Sequence, residues 1–217
     1  PVIVEAIKKL KKEFAGTVPV NAYVVPPFTS ISSYMVDSIT FLKWLGKAPE
    51  KAHQLLKDTV GVYAEIAGLY TDAGADVITL HGMGASNDNI SPRHFEEFVK
   101  PYLQDIIKHV KVPTILNICG SALMNVEKMV ECGASAIAVD ERTPIKEARA
   151  KIEGIKPGYP IIGNVPSYGV IHQGPIEKIQ DSVKRCIEDG VSMVAPGCDF
   201  WIETPTSHIE AFAKACI

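Results

Sequence analysis

The sequence has no cysteine pair two residues apart, no glycine-rich phosphate loop, and no apolar run approaching the ~20 residues that a membrane span requires. It also lacks blocks of like charge, because 22 basic and 25 acidic side chains are interspersed for a formal net charge of −3. Each absence excludes something. Without a basic patch there is no electrostatic footprint for nucleic acid or for an anionic membrane. Without G-x-G-x-x-G or a P-loop there is no nucleotide cradle of the usual kind. Five cysteines, an odd number with no short paired spacing, argue for reduced thiols over a disulfide framework. The first residues lack the charged and apolar regions of a secretory signal. The expectation is a cytoplasmic protein with neither a membrane nor a nucleic-acid role.

What is present is enough apolar side chain, 47% of 217 residues, to bury a sizeable core in one large domain or two small ones. Apolar runs alternate with amphipathic stretches along the chain. Strands are predicted at 18–25, 76–81, 113–119, 136–140, 160–165 and 193–198, and helices at 2–14, 49–73, 92 to about 109, 123–131, 145–152, 175–189 and 206–215, with loops at 28–33 and 82–89. Strands that read as continuous apolar runs and are joined by helices imply a parallel sheet buried on both faces. Two α/β architectures share that rhythm, the open doubly wound sheet and the (β/α)8 TIM-type barrel. The strand ends separate them. Polar or reactive groups close nearly every strand (His81, Asn117 with Cys119, Asp140 with Glu141, Asn164, and Cys198 with Asp199), as in a barrel's active face. Only six strands are found where a barrel needs eight, and the chain opens on Pro1 rather than Met. The expectation is therefore a single domain, 1–217, that lacks the barrel's N-terminal strands and forms the C-terminal two thirds of a longer protein.

The chemistry centres on two similar stretches. Pro113-Thr114-Ile115-Leu116-Asn117-Ile118-Cys119-Gly120 is an apolar strand that delivers a thiol, and Met193-Val194-Ala195-Pro196-Gly197-Cys198-Asp199 repeats the plan. Thiolates are good zinc ligands, and a catalytic zinc takes about three protein ligands. Cys119 and Cys198 would supply two, and His81, Asp140, Glu141 and Asn117 are the candidates for the third. An amide is a weak donor beside thiolates, which favours His81 or Glu141. His81 reads equally well as a histidine satisfied by its own loop. Asp140-Glu141 reads as a catalytic carboxylate pair or as a salt-bridge partner of Arg142. Phe200-Trp201, directly after Cys198, reads as packing or as the wall of a pocket. Cys132, Cys186 and Cys216 read as small buried hydrophobes.

The succession Ile90-Ser91-Pro92-Arg93-His94-Phe95-Glu96-Glu97-Phe98, Ile115-Leu116-Asn117-Ile118-Cys119-Gly120, Ile162-Gly163-Asn164-Val165 and Ala195-Pro196-Gly197-Cys198 resembles the uroporphyrinogen decarboxylase superfamily. Within it the closer likeness is to the corrinoid-dependent methyltransferase branch, typified by methylcobalamin:coenzyme M methyltransferase. The resemblance implies a (β/α)8 barrel and a zinc held by a His-x-Cys motif and a distant Cys. It implies methylcobalamin as co-substrate on a small corrinoid protein partner, and a small-molecule thiol or methyl donor as the other substrate. Cys119 and Cys198 carry over as metal ligands, while Asp140 and Glu141 stay the catalytic candidates read from the strand ends, and Asn117 and Asn164 are the candidates for cofactor binding. One position departs: where the branch has the histidine of His-x-Cys, this chain has Asn117, so the third ligand is expected to be His81 first and Glu141 second. The alternative is a metal-free or non-catalytic barrel that binds a corrinoid protein or a small ligand.

Overall fold

A computed structural model describes residues 2–14 and 16–217. Helix α1 (Val2–Phe14) leads into strand β1 (Asn21–Val24), short helix α2 (Pro27–Ser30) and a wide helical turn at Ile31–Met35. Helices α3 (Ser38–Lys47) and α4 (Pro49–Asp72) precede β2 (Val77–His81), and α5 (Pro92–Phe98) and α6 (Lys100–Ile107) lead to β3 (Thr114–Ile118). The rest alternates as α7 (Val126–Glu131), β4 (Ala136–Val139), α8 (Ile145–Glu153), β5 (Ile161–Val165), α9 (Ile176–Glu188), β6 (Met193–Pro196) and α10 (Thr206–Ala215).

All six predicted strands form, and they pair in parallel in the order β1-β2-β3-β4-β5-β6. Each strand lies beside its predecessor. A doubly wound sheet reverses direction at a switch point, so this order excludes that architecture and keeps the winding of a barrel. Among the described residues the sheet is an open arc of the six strands read from the sequence, with β1 and β6 as its edges, and no closed eight-stranded barrel forms among them.

Two local expectations are corrected. The predicted loop at 28–33 is helical: Pro26 stays extended, Pro27 takes the first helical position, where a missing N–H costs nothing, and Phe28 and Ile31 are buried by the turns. The single helix predicted from 92 to about 109 breaks at Val99. Pro101 sits in the first turn of α6 and cannot donate the hydrogen bond that would continue α5. The start of α5 is as expected, with Ser91 Oγ accepting from the His94 N–H.

The strands alternate between two faces. On β3, Leu116 and Ile118 are fully buried against the helices, and with Ile78, Leu80, Ile137 and Val139 they form the main core. The intervening residues point to the concave face, where register places His81 opposite Asn117 and Asn117 opposite Ala138. A second, smaller cluster lies behind β5, where Val165, Ile171, Ile179, Val183 and Phe212 pack α9 and α10 onto the sheet. Among the described residues no helix is long and apolar enough to cross a membrane.

Candidate active site at the strand ends

Parallel strands put all their C-terminal ends on one rim, so residues 80 apart in sequence can meet there. Cys119, just past β3, and Cys198, just past β6, have their Sγ atoms 3.6 Å apart. That is far beyond the ~2.05 Å of a disulfide, and both thiols are free. With metal–sulfur bonds of about 2.3 Å, as zinc makes, a 3.6 Å separation subtends about 103° at the ion, close to tetrahedral. The pair fits a soft cation. A third donor is not assembled with it, since among the described residues no group of three His, Cys, Asp or Glu side chains is arranged to hold a metal.

Asn117 accounts for the missing donor. Its amide Nδ2 lies 3.3 Å from Nδ1 of His81, and its Oδ1 lies 4.0 Å from the Cys119 Sγ, so the amide stands between the histidine and the thiol. His81 is 5% exposed and its ring lies 4.9 Å from that of Tyr23. Burial lowers the His81 pKa below the usual histidine value, with Asp199 opposing, so the ring is neutral and can accept from the amide. Burial, followed by the neighbouring Cys198 thiol, pushes the Cys119 pKa well up, so that without a cation beside it the sulfur keeps its proton.

The two expected catalytic carboxylates are adjacent in sequence and differ in state. Asp140 is buried, and its oxygens accept from the backbone N–H of Gly120 and, at 2.9 Å, from that of Arg142. The Arg142 guanidinium lies 3.5 Å from Asp140 and 3.1 Å from Asp88, and Asp88 accepts from the Ser121 N–H at 3.0 Å. Two carboxylates and one guanidinium therefore clamp the turn directly after Cys119. That turn needs glycine: Gly120 has φ +99°, and a Cβ there would come within 2.7 Å of Asp88 Oδ2 and 2.8 Å of Ser86 Cβ. The salt-bridge reading holds for Asp140. Glu141 has no ion pair within 4 Å among the described residues and lies against Gly197, where a Cβ would collide with its Oε2. This contact brings Glu141 beside Cys198, and a side chain at Gly197 would push the Glu141 carboxylate aside.

Asn164 spends both amide hydrogens, at 2.9 Å each, on the carbonyls of Asp140 and Thr143, and so ties β5 to the turn after β4. Ser167 was not singled out from the sequence. Its Oγ donates to the Cys198 carbonyl at 2.8 Å and accepts from the Cys198 N–H at 3.0 Å, which fixes the second thiol's backbone. Nothing local marked it, because a serine after a strand is common. Asp88 was equally hidden inside the polar loop at 82–89. The two thiols open into a cavity of about 780 Å³ whose walls include Asp140, Glu141, Arg142, Tyr168, Asp199, Phe200, Trp201 and Glu203. Phe200 and Trp201 thus wall the pocket. His81, Asn117 and Asn164 do not line it.

The uroporphyrinogen decarboxylase (URO-D) family model matches residues 1–217. The chain is 30% identical over 215 residues to the methylcobamide:CoM methyltransferase of Methanosarcina barkeri (strain Fusaro), a match covering 99% of this chain and 62% of that one. It is 30% identical over 226 residues to the chloroplastic uroporphyrinogen decarboxylase of Nicotiana tabacum, covering 98% and 56%. A solved methyltransferase from Methanosarcina mazei superposes with a TM-score of 0.91 at 31% identity, over 99% of this chain and 63% of that one. The chain spans about three fifths of the length of the curated methyltransferases it matches.

Proposed function

The chain belongs to the uroporphyrinogen decarboxylase family, and from that membership we propose that it is a methyltransferase moving a methyl group between a corrinoid carried by a small partner protein and a small thiol or methylated molecule. The observation that carries this reading is the thiol pair, 3.6 Å apart at the edge of a cavity large enough for a small substrate. Cys119 and Cys198 would hold a zinc ion, with His81 or Glu141 as the third ligand. Such an ion supplies Lewis acidity and makes a bound thiol nucleophilic at neutral pH.

The protein's own groups prepare this site in three ways. The Asp140, Asp88 and Arg142 clamp fixes Cys119 through the turn that follows it. Ser167 fixes Cys198 through both of its backbone polar groups. Glu141, held against Gly197 and without a cation partner within 4 Å among the described residues, is the carboxylate available to orient a ligand or move a proton. For His81 to reach a shared ion, the Asn117 amide has to turn aside.

Metal analysis of protein purified without chelator tests this reading, with about one zinc per chain expected and its loss in Cys119→Ala and Cys198→Ala. A content far below one, indifferent to both substitutions, would overturn it. Methylcobalamin incubated with a panel of thiols, followed by its absorbance, then tests direction: demethylation marks the thiol as acceptor. Asn117 favours a second reading, a metal-free or non-catalytic member that binds a corrinoid protein or small ligand, and a metal-free protein that still binds the corrinoid would support it. A decarboxylase acting on a polycarboxylate fits less well, because Arg142 is the one guanidinium among the cavity's lining residues and it is already paired with two carboxylates.

A further inference from the structure

The two thiols are arranged for each other as well as for an ion. Their Sγ atoms lie 3.6 Å apart, and the Cys119 Sγ also lies 3.8 Å from the carbonyl oxygen of Gly197, so it packs against the peptide that leads into Cys198. Closing 3.6 Å to the ~2.05 Å of a disulfide takes about 1.5 Å of movement. The two sides are not equally free to make it. The turn after Cys119 is tied to Asp140 and Asp88 through the N–H groups of Gly120 and Ser121, whereas Cys198 is exposed and follows an edge strand. The approach therefore falls to Cys198. Both thiols open into the cavity of about 780 Å³, through which a small molecule reaches the sulfur atoms. The other cysteines are placed differently. Buried Cys132 and Cys186 turn their thiols to the carbonyl oxygens of Lys128, at 3.3 Å, and Gly163, at 2.8 Å, and Cys216 lies just past the end of α10.

We propose that Cys119 and Cys198 form a reversible dithiol–disulfide site, oxidised by a low-molecular-weight disulfide RSSR, and that oxidation and metal binding exclude each other there. Exchange runs through a mixed disulfide. The exposed Cys198 sulfur attacks one sulfur of RSSR, the S–S bond breaks, and its electron pair leaves with RS⁻, which takes the proton that Cys198 has lost. Cys119, held 3.6 Å away, then attacks the Cys198 sulfur of the mixed disulfide. The second RS⁻ leaves with that bond's electron pair and takes the Cys119 proton. The two cysteines are oxidised by two electrons to one disulfide, and RSSR is reduced to two RSH. A thiol binds a metal only as thiolate, and a disulfide contains none, so the oxidised pair has no sulfur ligand to offer. The cross-link stands on the thiol geometry alone, whereas its consequence for metal uptake rests on the zinc reading of the same site.

The test equilibrates the whole reduced chain with graded ratios of oxidised to reduced glutathione, alkylates it with N-ethylmaleimide and maps its peptides by mass spectrometry. Two of the five thiols are expected to disappear together, in one cross-linked peptide that joins Cys119 to Cys198 and is reopened by a phosphine reductant. Cys119→Ser is expected to stop at the mixed disulfide, with one glutathione on Cys198, and Cys198→Ser to leave Cys119 as a free thiol. Cys216→Ser should leave the cross-link unchanged. Glutathione on both cysteines without a cross-link would overturn the proposal, as would both thiols still alkylated at the most oxidising ratio. The wild-type map decides the cross-link by itself should a serine variant fail to fold. Zinc uptake is read on the same samples, and the cross-linked protein is expected to take up at least about tenfold less than the reduced protein, with recovery on reduction. Equal uptake by the two forms would overturn the mutual exclusion. If the cross-link forms and the reduced protein takes up no zinc, the zinc reading falls and the dithiol site stands; if zinc binds and no cross-link forms, this inference falls alone.

Discussion

The two thiols are 3.6 Å apart, yet they sit in unlike surroundings. Cys119 is part-buried at the end of a strand inside the main core, and the turn after it is held by Asp140, Asp88 and Arg142. Cys198 is exposed, follows an edge strand, and is anchored through Ser167 before the chain runs into the open segment of Asp199, Phe200 and Trp201. One side of the site is built to keep its geometry, and the other is free to meet a ligand. Metal ligands need rigid support, and substrate walls gain from being open before binding.

Substitutions that attack the rigid side should therefore cost most. Asp140→Ala orphans the N–H groups of Gly120 and Arg142 in a buried place, and should lower stability by about 3 kcal/mol, read as a fall in the urea midpoint at unchanged slope. A loss under about 1 kcal/mol would mean that the clamp is not structural. The two glycines give the same contrast. Gly120→Ala meets both a left-handed backbone and a collision with Asp88 and Ser86, and should cost about 2 kcal/mol or more. Gly197→Ala displaces the end of the Glu141 side chain, which can swing into the cavity, and should cost about 1 kcal/mol. Reversal of that order in thermal melts would remove the distinction between the two sides. Ser167→Ala should cost about 1 kcal/mol, since it frees one N–H beside an open segment.

The smallest effect is one of pH. The folded state holds the His81 pKa below that of the unfolded chain, so below about pH 6.5 the unfolded chain binds the extra proton first. Stability should fall as pH drops through that window toward the lowered value, and be retained above it. In His81→Gln the fall should flatten over the same window, as melts at closely spaced pH would show. An unchanged slope would mean that the ring titrates freely.

Much of this was legible from local pattern. The six strands, the long α4 and the capped start of α5 follow from periodicity, breakers and caps, each a property of a few neighbouring residues. The two strand-end thiols stood out because reactive residues after apolar runs are conspicuous. Other features needed closer reading: the helical turn after Pro27 was obscured by its serines and threonine, and the break at Val99 by an apolar pattern that continues through Pro101.

By itself the sequence determined which segments become the six strands and most of the helices, that the sheet is parallel, and which residues cap the strands, because backbone preference and side-chain polarity act over a few residues. Only the tertiary structure decided that β1 to β6 lie in unbroken order, that His81 stands level with Asn117, that Asp140 is tied down while Glu141 is free, and that Ser167 holds Cys198. The physical reason is one of range. Register and contacts between residues 20 to 79 apart are set by how strands pair and how helices cover them, and no local preference specifies that.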